Sequence, residues 1–185
     1  MRARRALGLF VAVAMALVAC AEGERSDAVA VRVGGIALDA SGNAPVVILE
    51  EVDGSRRLPI WIGVAEARSI LAGLHEREPV RPNSHDMARR LVEDLEARVE
   101  RVVVRALEDG IYYADLVLVA KGHELRIDAR PSDAIALAVR VDAPVFVLAP
   151  LFEAEALEGE LSGEGRRIHV APPGSTARQL PLRSL

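Results

Sequence analysis

Apolar residues alternate with polar or small ones over residues 29–38 and again over 46–52, which predicts two strands. The segment between them, Asp39-Ala40-Ser41-Gly42-Asn43, has turn composition. Asp53-Gly54-Ser55 makes a second turn, and residues 57–62 predict a third strand that stops at Gly63, giving a three-strand meander. The period then changes: Ala67, Ile70, Leu71 and Leu74 fall at helical spacing, so a helix is expected over 66–74. After the break at Pro79 to Pro82, a longer helix is expected over 84–99, with Met87, Leu91, Leu95 and Val99 four apart on one face and Arg89, Arg90, Glu93, Asp94 and Glu96 outside. Strands follow at 102–107, 112–120 and 124–128, separated by Glu108-Asp109-Gly110 and Lys121-Gly122. A helix over 131–141, a strand over 145–148 and a last helix over 150–157 complete the order. The pattern is that of an α+β domain in which mixed sheet pairs with helices.

The order contains an internal repeat. Residues 58–70, LPIWIGVAEARSI, align without gaps on residues 125–137, LRIDARPSDAIAL, and the Asp53-Gly54 and Lys121-Gly122 turns correspond one residue out of register. Each copy delivers three strands into a helix whose first turn carries an acid followed by alanine, Glu66-Ala67 in one and Asp133-Ala134 in the other. A duplicated three-strand-plus-helix unit is therefore expected.

The start of the chain has a different character. Met1-Arg2-Ala3-Arg4-Arg5 precedes an uncharged stretch from Ala6 to Ala21, the basic and apolar regions of an export signal. That stretch is short for a membrane-spanning helix, which needs about 20 apolar residues. It ends in Leu17-Val18-Ala19-Cys20, which resembles a lipobox, so residues 1–20 are expected to be a lipoprotein signal with Cys20 the lipidated first residue of the mature chain. The expected location is the cell envelope, outside the cytoplasm and tied to a bacterial membrane. Residues 21–28 then form a linker, 29–157 one domain, and 158–185, rich in Gly, Pro, Ser and Arg, a flexible tail. Cys20 is the sole cysteine, which excludes an internal disulfide and a thiolate metal site.

Loss of residues 1–20 removes three arginines and no acids, leaving 20 basic against 27 acidic residues and a net charge of about −7. That balance excludes a generic nucleic-acid binder, whose affinity comes from neutralising phosphates. Binding to nucleic acid would have to be local, through clustered arginines or a bridging metal.

Two helix starts offer such a place, Arg81-Pro82-Asn83-Ser84-His85-Asp86 and Arg130-Pro131-Ser132-Asp133. Each puts an arginine beside a capped amino end whose free N–H groups attract anions, so Arg81, Arg130 and Ser132 are candidate phosphate ligands. Glu66, Asp86, Asp128 and Asp133 fall at strand ends or first turns. Clustered carboxylates suit Mg²⁺ or Mn²⁺, with Asp128, Asp133 and Glu66 the expected ligands, and His85 is a candidate general acid or base. The same residues also fit capping and structural salt bridges. The four histidines, His75, His85, His123 and His169, show no paired zinc spacing.

The run from Leu58 to Gly63 with Glu66-Ala67, then Arg81-Pro82 with Ser84-His85-Asp86, Tyr113-Ala114, and residues 128–138, DARPSDAIALA, resembles the bifunctional nuclease domain family. The resemblance covers about residues 29–157 and implies an α+β domain that hydrolyses RNA and DNA and self-associates. Carried over position by position, its polar motif falls on Glu66, His85, Asp86, Asp128, Arg130, Ser132 and Asp133; Ser84 stands where threonine is usual. The expectation is a lipid-anchored nuclease, homo-oligomeric, with nucleic acid as substrate and the membrane held through Cys20. The alternatives are a non-catalytic envelope module that kept the fold to bind a partner or anionic ligand, and a scaffold subunit.

Overall fold

The computed structural model describes residues 27–39, 44–77, 79–153 and 168–169. The signal with Cys20, the expected turn at 40–43, and the tail apart from 168–169 lie outside the described residues, as does the expected last helix beyond 153; its start at 150–153 is helical.

Valine-rich runs build the strands: β1 (Ala28–Asp39), β2 (Pro45–Glu51), β3 (Arg57–Trp61), β4 (Ala97–Glu108), β5 (Ile111–Ala120), β6 (His123–Ala129) and β7 (Val145–Leu148). They form one sheet in the order β3-β2-β1-β7-β4-β5-β6. A short strand, β8 (Ile168–His169), pairs with Leu38 and Asp39 at the end of β1, inside the segment expected to be a flexible tail. Every pairing is antiparallel except that of β7 with β4, so the sheet is mixed. Its two outer thirds, β3-β2-β1 and β4-β5-β6, are each a meander. Lys121-Gly122 and Asp109-Gly110 have positive φ at both residues, the two-residue turn that matches strand twist.

Among the described residues, the sheet is accompanied by α1 (Val64–Leu74), α2 (Ser84–Asp94) and α3 (Pro131–Ala138), and 150–153 is helical as well. Helix α1 follows β3 and α3 follows β6, so the order of three strands and a helix occurs twice, and the two helices pack on each other. Val47, Leu49, Ile60, Ile70, Val102, Val104, Ala114 and Ile135 form the core between them and the sheet. Small residues on α3, Ala134, Ala136 and Ala138, are all buried and let α1 come close.

Three helix boundaries differ from expectation, the smallest difference being at α1, which begins at Val64 and not at Glu66. Helix α3 ends at Ala138 and residues 139–142 are turn, where a helix to 141 was expected. Helix α2 ends at Asp94, not at Val99: Glu96 takes a positive φ of 56° and Ala97 already belongs to β4. The β-branched run Val102-Val103-Val104 draws the preceding residues into a 12-residue strand, and Val99 pairs with Leu118 of β5. The apolar stripe of α2 is also not where amphipathicity places it. No residue of α2 is buried, and Met87, Leu91 and Leu95 are 55%, 52% and 69% exposed. The half-buried residues are His85, Asp86, Ala88, Arg89 and Val92, so α2 is turned to set its histidine inward.

Candidate active site

The amino end of α2 is fixed by a capping box. The Asn83 side-chain oxygen accepts from the backbone N–H groups of His85 and Asp86, at 2.8 and 3.0 Å, and Asp86 Oδ2 accepts from Asn83 N at 2.8 Å. This orients His85 between two helices. Its Nδ1 lies 2.9 Å from Ser69 Oγ on α1, and its Nε2 lies 3.2 Å from Asp133 Oδ1 on α3.

The hydrogen bonds around Ser69 determine the histidine tautomer. Arg140 Nη2 donates to Ser69 Oγ at 2.8 Å and Asn83 Nδ2 donates to it at 3.2 Å. With both lone pairs taken, the hydroxyl must donate its proton to His85 Nδ1. The neutral ring therefore carries its hydrogen on Nε2 and donates to Asp133. Ser69 is buried, 5% exposed, and saturated, which makes it a positioning group rather than a nucleophile.

Asp133 also accepts from Arg130, whose Nε and Nη2 reach Oδ2 and Oδ1 at 2.7 and 3.1 Å. The same guanidinium donates to Glu66 Oε1 at 2.9 Å. Glu66 and Asp133, the acids equivalent in the sequence repeat, are each the third residue of their helix, and Arg130 joins them. Gly63 leaves room for this, because a Cβ there would run into the Glu66 carboxylate where it folds back over the start of α1. Arg130 itself is 68% exposed.

Behind this surface lies a buried ion pair. Arg140 Nε donates to Asp86 Oδ1 at 2.7 Å, with the two side chains 6% and 15% exposed, and Arg140 Nη1 donates to the carbonyls of Ser69 and Ala136 at 3.0 and 2.6 Å. Ser69 and Ala136 are equivalent positions of the repeat, so one arginine ties both helices. Burial raises the pKa of Asp86, but the Arg140 hydrogen bond, the Asn83 N–H and the charges of Arg140 and Arg89 outweigh it and hold the carboxyl below its usual value. Asp133 is lowered in the same way: desolvation opposes, and the hydrogen bonds from Arg130 and His85 prevail. Hydrogen bonding and attraction to Asp133, then Glu66, raise Arg130.

Of the residues singled out in the sequence, Glu66, His85, Asp86, Arg130 and Asp133 share this network. Asp128 does not join it. It precedes Ala129, which pairs with core residue Ala114, so alternation turns Asp128 to the opposite face of the sheet, where it is 70% exposed and bonds Arg105 at 3.0 Å. Ser132 is buried at the second position of α3, and Arg81 is exposed ahead of α2 with no ion pair to another described residue. Tyr112 packs on the core and Tyr113 lies under Arg105, 5.5 Å from guanidinium to ring centre, as alternation requires.

Among the described residues no group of three His, Cys, Asp or Glu side chains is placed to hold a metal ion. Guanidinium groups occupy the carboxylates instead: Arg130 those of Glu66 and Asp133, Arg140 that of Asp86, Arg105 that of Asp128. The donor set does not fit the expected Mg²⁺ or Mn²⁺. An open cleft of about 810 Å³ borders the Arg140–Asp86 side, lined also by Arg77, Arg89 and Arg90. Arg140 and Ser69 were not legible as site residues. The one available signal was a single arginine ending the apolar run from Ala134 to Val139.

A mixed-sheet α+β domain with a histidine, two acids and an exposed arginine gathered at paired helix starts is the class that fold and site define. Residues 47–160 match the bifunctional nuclease domain family, and the chain belongs to it. An uncharacterized protein of Mycobacterium tuberculosis is 41% identical over 117 residues, covering 63% of this chain and 70% of the relative. Bifunctional nuclease 2 of Oryza sativa subsp. japonica is 28% identical over 111 residues, 58% of this chain and 34% of the relative. The bifunctional nuclease of Oryza minuta is 30% identical over 105 residues, 55% and 32%.

Proposed function

We propose that the chain is a nuclease that hydrolyses phosphodiester bonds of RNA or DNA where α1, α2 and α3 begin. The observation that carries this is the exposed Arg130 guanidinium, shared between Glu66 and an Asp133 that His85 also holds. A substrate phosphate competes for Arg130, whose fork matches phosphate oxygens, and the positive end of the α3 dipole favours the same anion. As Arg130 turns to phosphate, Asp133 loses the partner that keeps it acidic and becomes the better base. It takes a proton from water, the water oxygen attacks phosphorus, and the bond to the leaving oxygen breaks, with solvent supplying that oxygen's proton. His85 Nε2–H steadies the carboxylate throughout. No step uses a divalent metal, since the arginines stand at its ligands.

Cleavage of end-labelled single-stranded RNA and DNA tests this. Arg130→Ala and Asp133→Asn are expected to lower kcat by about 10²-fold or more, and EDTA to leave the rate unchanged. Absence of cleavage by the wild-type chain, or full activity in Asp133→Asn, would sink it; a rate abolished by EDTA and restored by Mn²⁺ would bring the metal back.

Three further parts of the proposal rest on sequence and topology. The residues from Met1 to Cys20 support a lipid anchor and an extracytoplasmic address; palmitate labelling lost in Cys20→Ala is the expected result. The repeated element order and the matched Glu66 and Asp133 support duplication of one unit. The chain is also read as a homo-oligomer. A binding module without turnover is the second reading, favoured by His85, whose two ring nitrogens are both engaged.

A further inference from the structure

We infer that the cleft beside the Arg140–Asp86 pair holds the sugar-phosphate backbone of single-stranded nucleic acid on one side of the scissile phosphate, which rests on the nuclease activity proposed above. The arginines divide by whether a carboxylate already holds them. Of the described arginines, Arg68, Arg77, Arg81 and Arg90 alone make no ion pair with a described carboxylate, and all four fall between the start of α1 and the end of α2. Elsewhere on the described chain each guanidinium is neutralised by an acid, Arg130 and Arg140 included. An unpaired guanidinium is free to take phosphate, whereas a paired one must first release its acid.

Two of the four, Arg77 and Arg90, line the cleft, and Arg81 stands between the lining residues Val80 and Pro82. Five arginines line it against three acids, in a chain whose acids outnumber its basic residues 27 to 23. Of those acids, Asp86 is held by Arg140, and Glu76 and Asp142 are exposed to screening by salt. The local excess is therefore positive. Pro79 and Pro82 restrict the connection that carries Arg77 and Arg81, which lowers the ordering cost of gripping a strand. Val80, 101% exposed, gives the cleft with Leu74 and Val139 an apolar strip for the bases. No aromatic side chain is among the described residues that line it, so bases do not stack there and their sequence goes unread. A cleft of about 810 Å³ suits a narrow strand and not a flat bilayer. Arg140 and Asp86 are the wall that it shares with the active site: Arg140 donates to Ser69 Oγ at 2.8 Å, and Ser69 donates to His85 at 2.9 Å. A strand with one phosphate at Arg130 passes over that wall into the cleft.

The test is fluorescence anisotropy of a dye-labelled thymidine oligonucleotide of about twelve nucleotides, bound to the full chain in detergent with Asp133→Asn present to prevent cleavage. Arg77→Ala combined with Arg90→Ala is expected to weaken binding about tenfold or more and to reduce the slope of log K against log salt by about 1.4, the share of two phosphate contacts on a single strand. Arg77→Lys with Arg90→Lys keeps the charges and is expected to keep the slope. Should circular dichroism show that the alanine pair misfolds, Arg77→Gln with Arg90→Gln takes its place. A control with the same loss of charge, Arg57→Ala with Arg126→Ala, is expected to leave the slope unchanged. With Asp133 restored, the alanine pair is expected to raise KM for the long strand by a similar factor at unchanged kcat, and to move neither for a dinucleotide, which is too short to reach the cleft. Equal weakening by the control pair, an unmoved slope in the alanine pair, or reduced binding to phosphatidylglycerol vesicles with oligonucleotide binding unmoved would each overturn the inference, the last in favour of a membrane contact. Binding with the expected arginine dependence but no cleavage by the wild-type chain would support the cleft and remove the nuclease reading; cleavage with KM unmoved in the alanine pair would do the reverse.

Discussion

Arginine meets carboxylate on both faces of the sheet, and the two settings differ in what surrounds the charges. Under the helices, Arg140 and Asp86 are 6% and 15% exposed and share hydrogen bonds with Ser69, Asn83 and the backbone. On the open face, Arg105 bridges Asp115 and Asp128 with Arg105 36% and Asp128 70% exposed, and Arg101 and Glu124 pair beside them. Similar distances thus carry different energies. A buried pair must keep both members, because either one alone leaves an uncompensated charge; an exposed ladder is solvated whether or not it is complete.

The contrast breaks most visibly at Arg140. Arg140→Ala removes the partner of Asp86, both carbonyl contacts and one donor to Ser69, and the expected loss is about 3–5 kcal/mol of stability. Urea unfolding measures it. A loss under about 1 kcal/mol would mean that water enters and that the two networks are alike. Because Ser69 loses an acceptor obligation in this variant, its hydroxyl is freed to rotate, and the His85 tautomer should become mixed in ¹⁵N spectra.

Acid sharpens the comparison next. The folded-state pKa values of Asp86 and Asp133 are lowered, so the unfolded chain binds more protons as pH drops below the ordinary carboxylate range near 4. Stability from these groups is complete above that range and is lost as pH falls through their folded values, with a slope of about 1.4 kcal/mol per pH unit for each extra proton taken up. Unfolding midpoints followed from pH 6 to pH 2 should fall, and the fall should be shallower in Arg140→Met. An unchanged slope in that variant would assign the acid sensitivity to other carboxylates, Glu124 among them, where desolvation raises the pKa but the hydrogen bonds and charges of Arg101 and Arg126 together outweigh it and hold the carboxyl below its usual value.

Much of this was legible in the pattern of residues. Alternation and turn dipeptides predict β1 to β7 within about a residue or two at most ends, β4 beginning earlier than expected and β8 falling where a tail was expected, and the resemblance together with helix-start chemistry named five of the side chains in the network. What could not be read follows from the range of the interactions. The α2 boundary depended on whether Val99 would follow Leu95 in a helix or Val102 in a strand, and the pairing of Val99 with Leu118, across a hairpin, decided it. The orientation of α2 depended on His85 meeting Ser69 and Asp133, contacts 16 and 48 residues apart, which no local period encodes. Asp128 was grouped with Asp133 because they are neighbours in the motif, although one residue of strand separates faces completely. Arg140 looked like the end of a helix because its partners are on two others.

The smallest expected effect lies on the open face and completes the comparison. Asp128→Ala removes one of two acceptors of Arg105, leaving Asp115 at 2.8 Å and the Tyr113 ring below the guanidinium. With Asp128 largely in solvent, the loss of stability should be under about 1 kcal/mol, and nuclease activity should be retained. Family resemblance assigns Asp128 to the polar motif while the geometry places it across the sheet from His85, so this variant separates the two. Unfolding and cleavage assays on Asp128→Ala and Asp128→Asn decide it: a fall in kcat of tenfold or more with unchanged stability would put the substrate, or a second copy's site, on the open face. The ladder formed by Arg105 and Arg101 would then be a binding surface and not only a solvated edge.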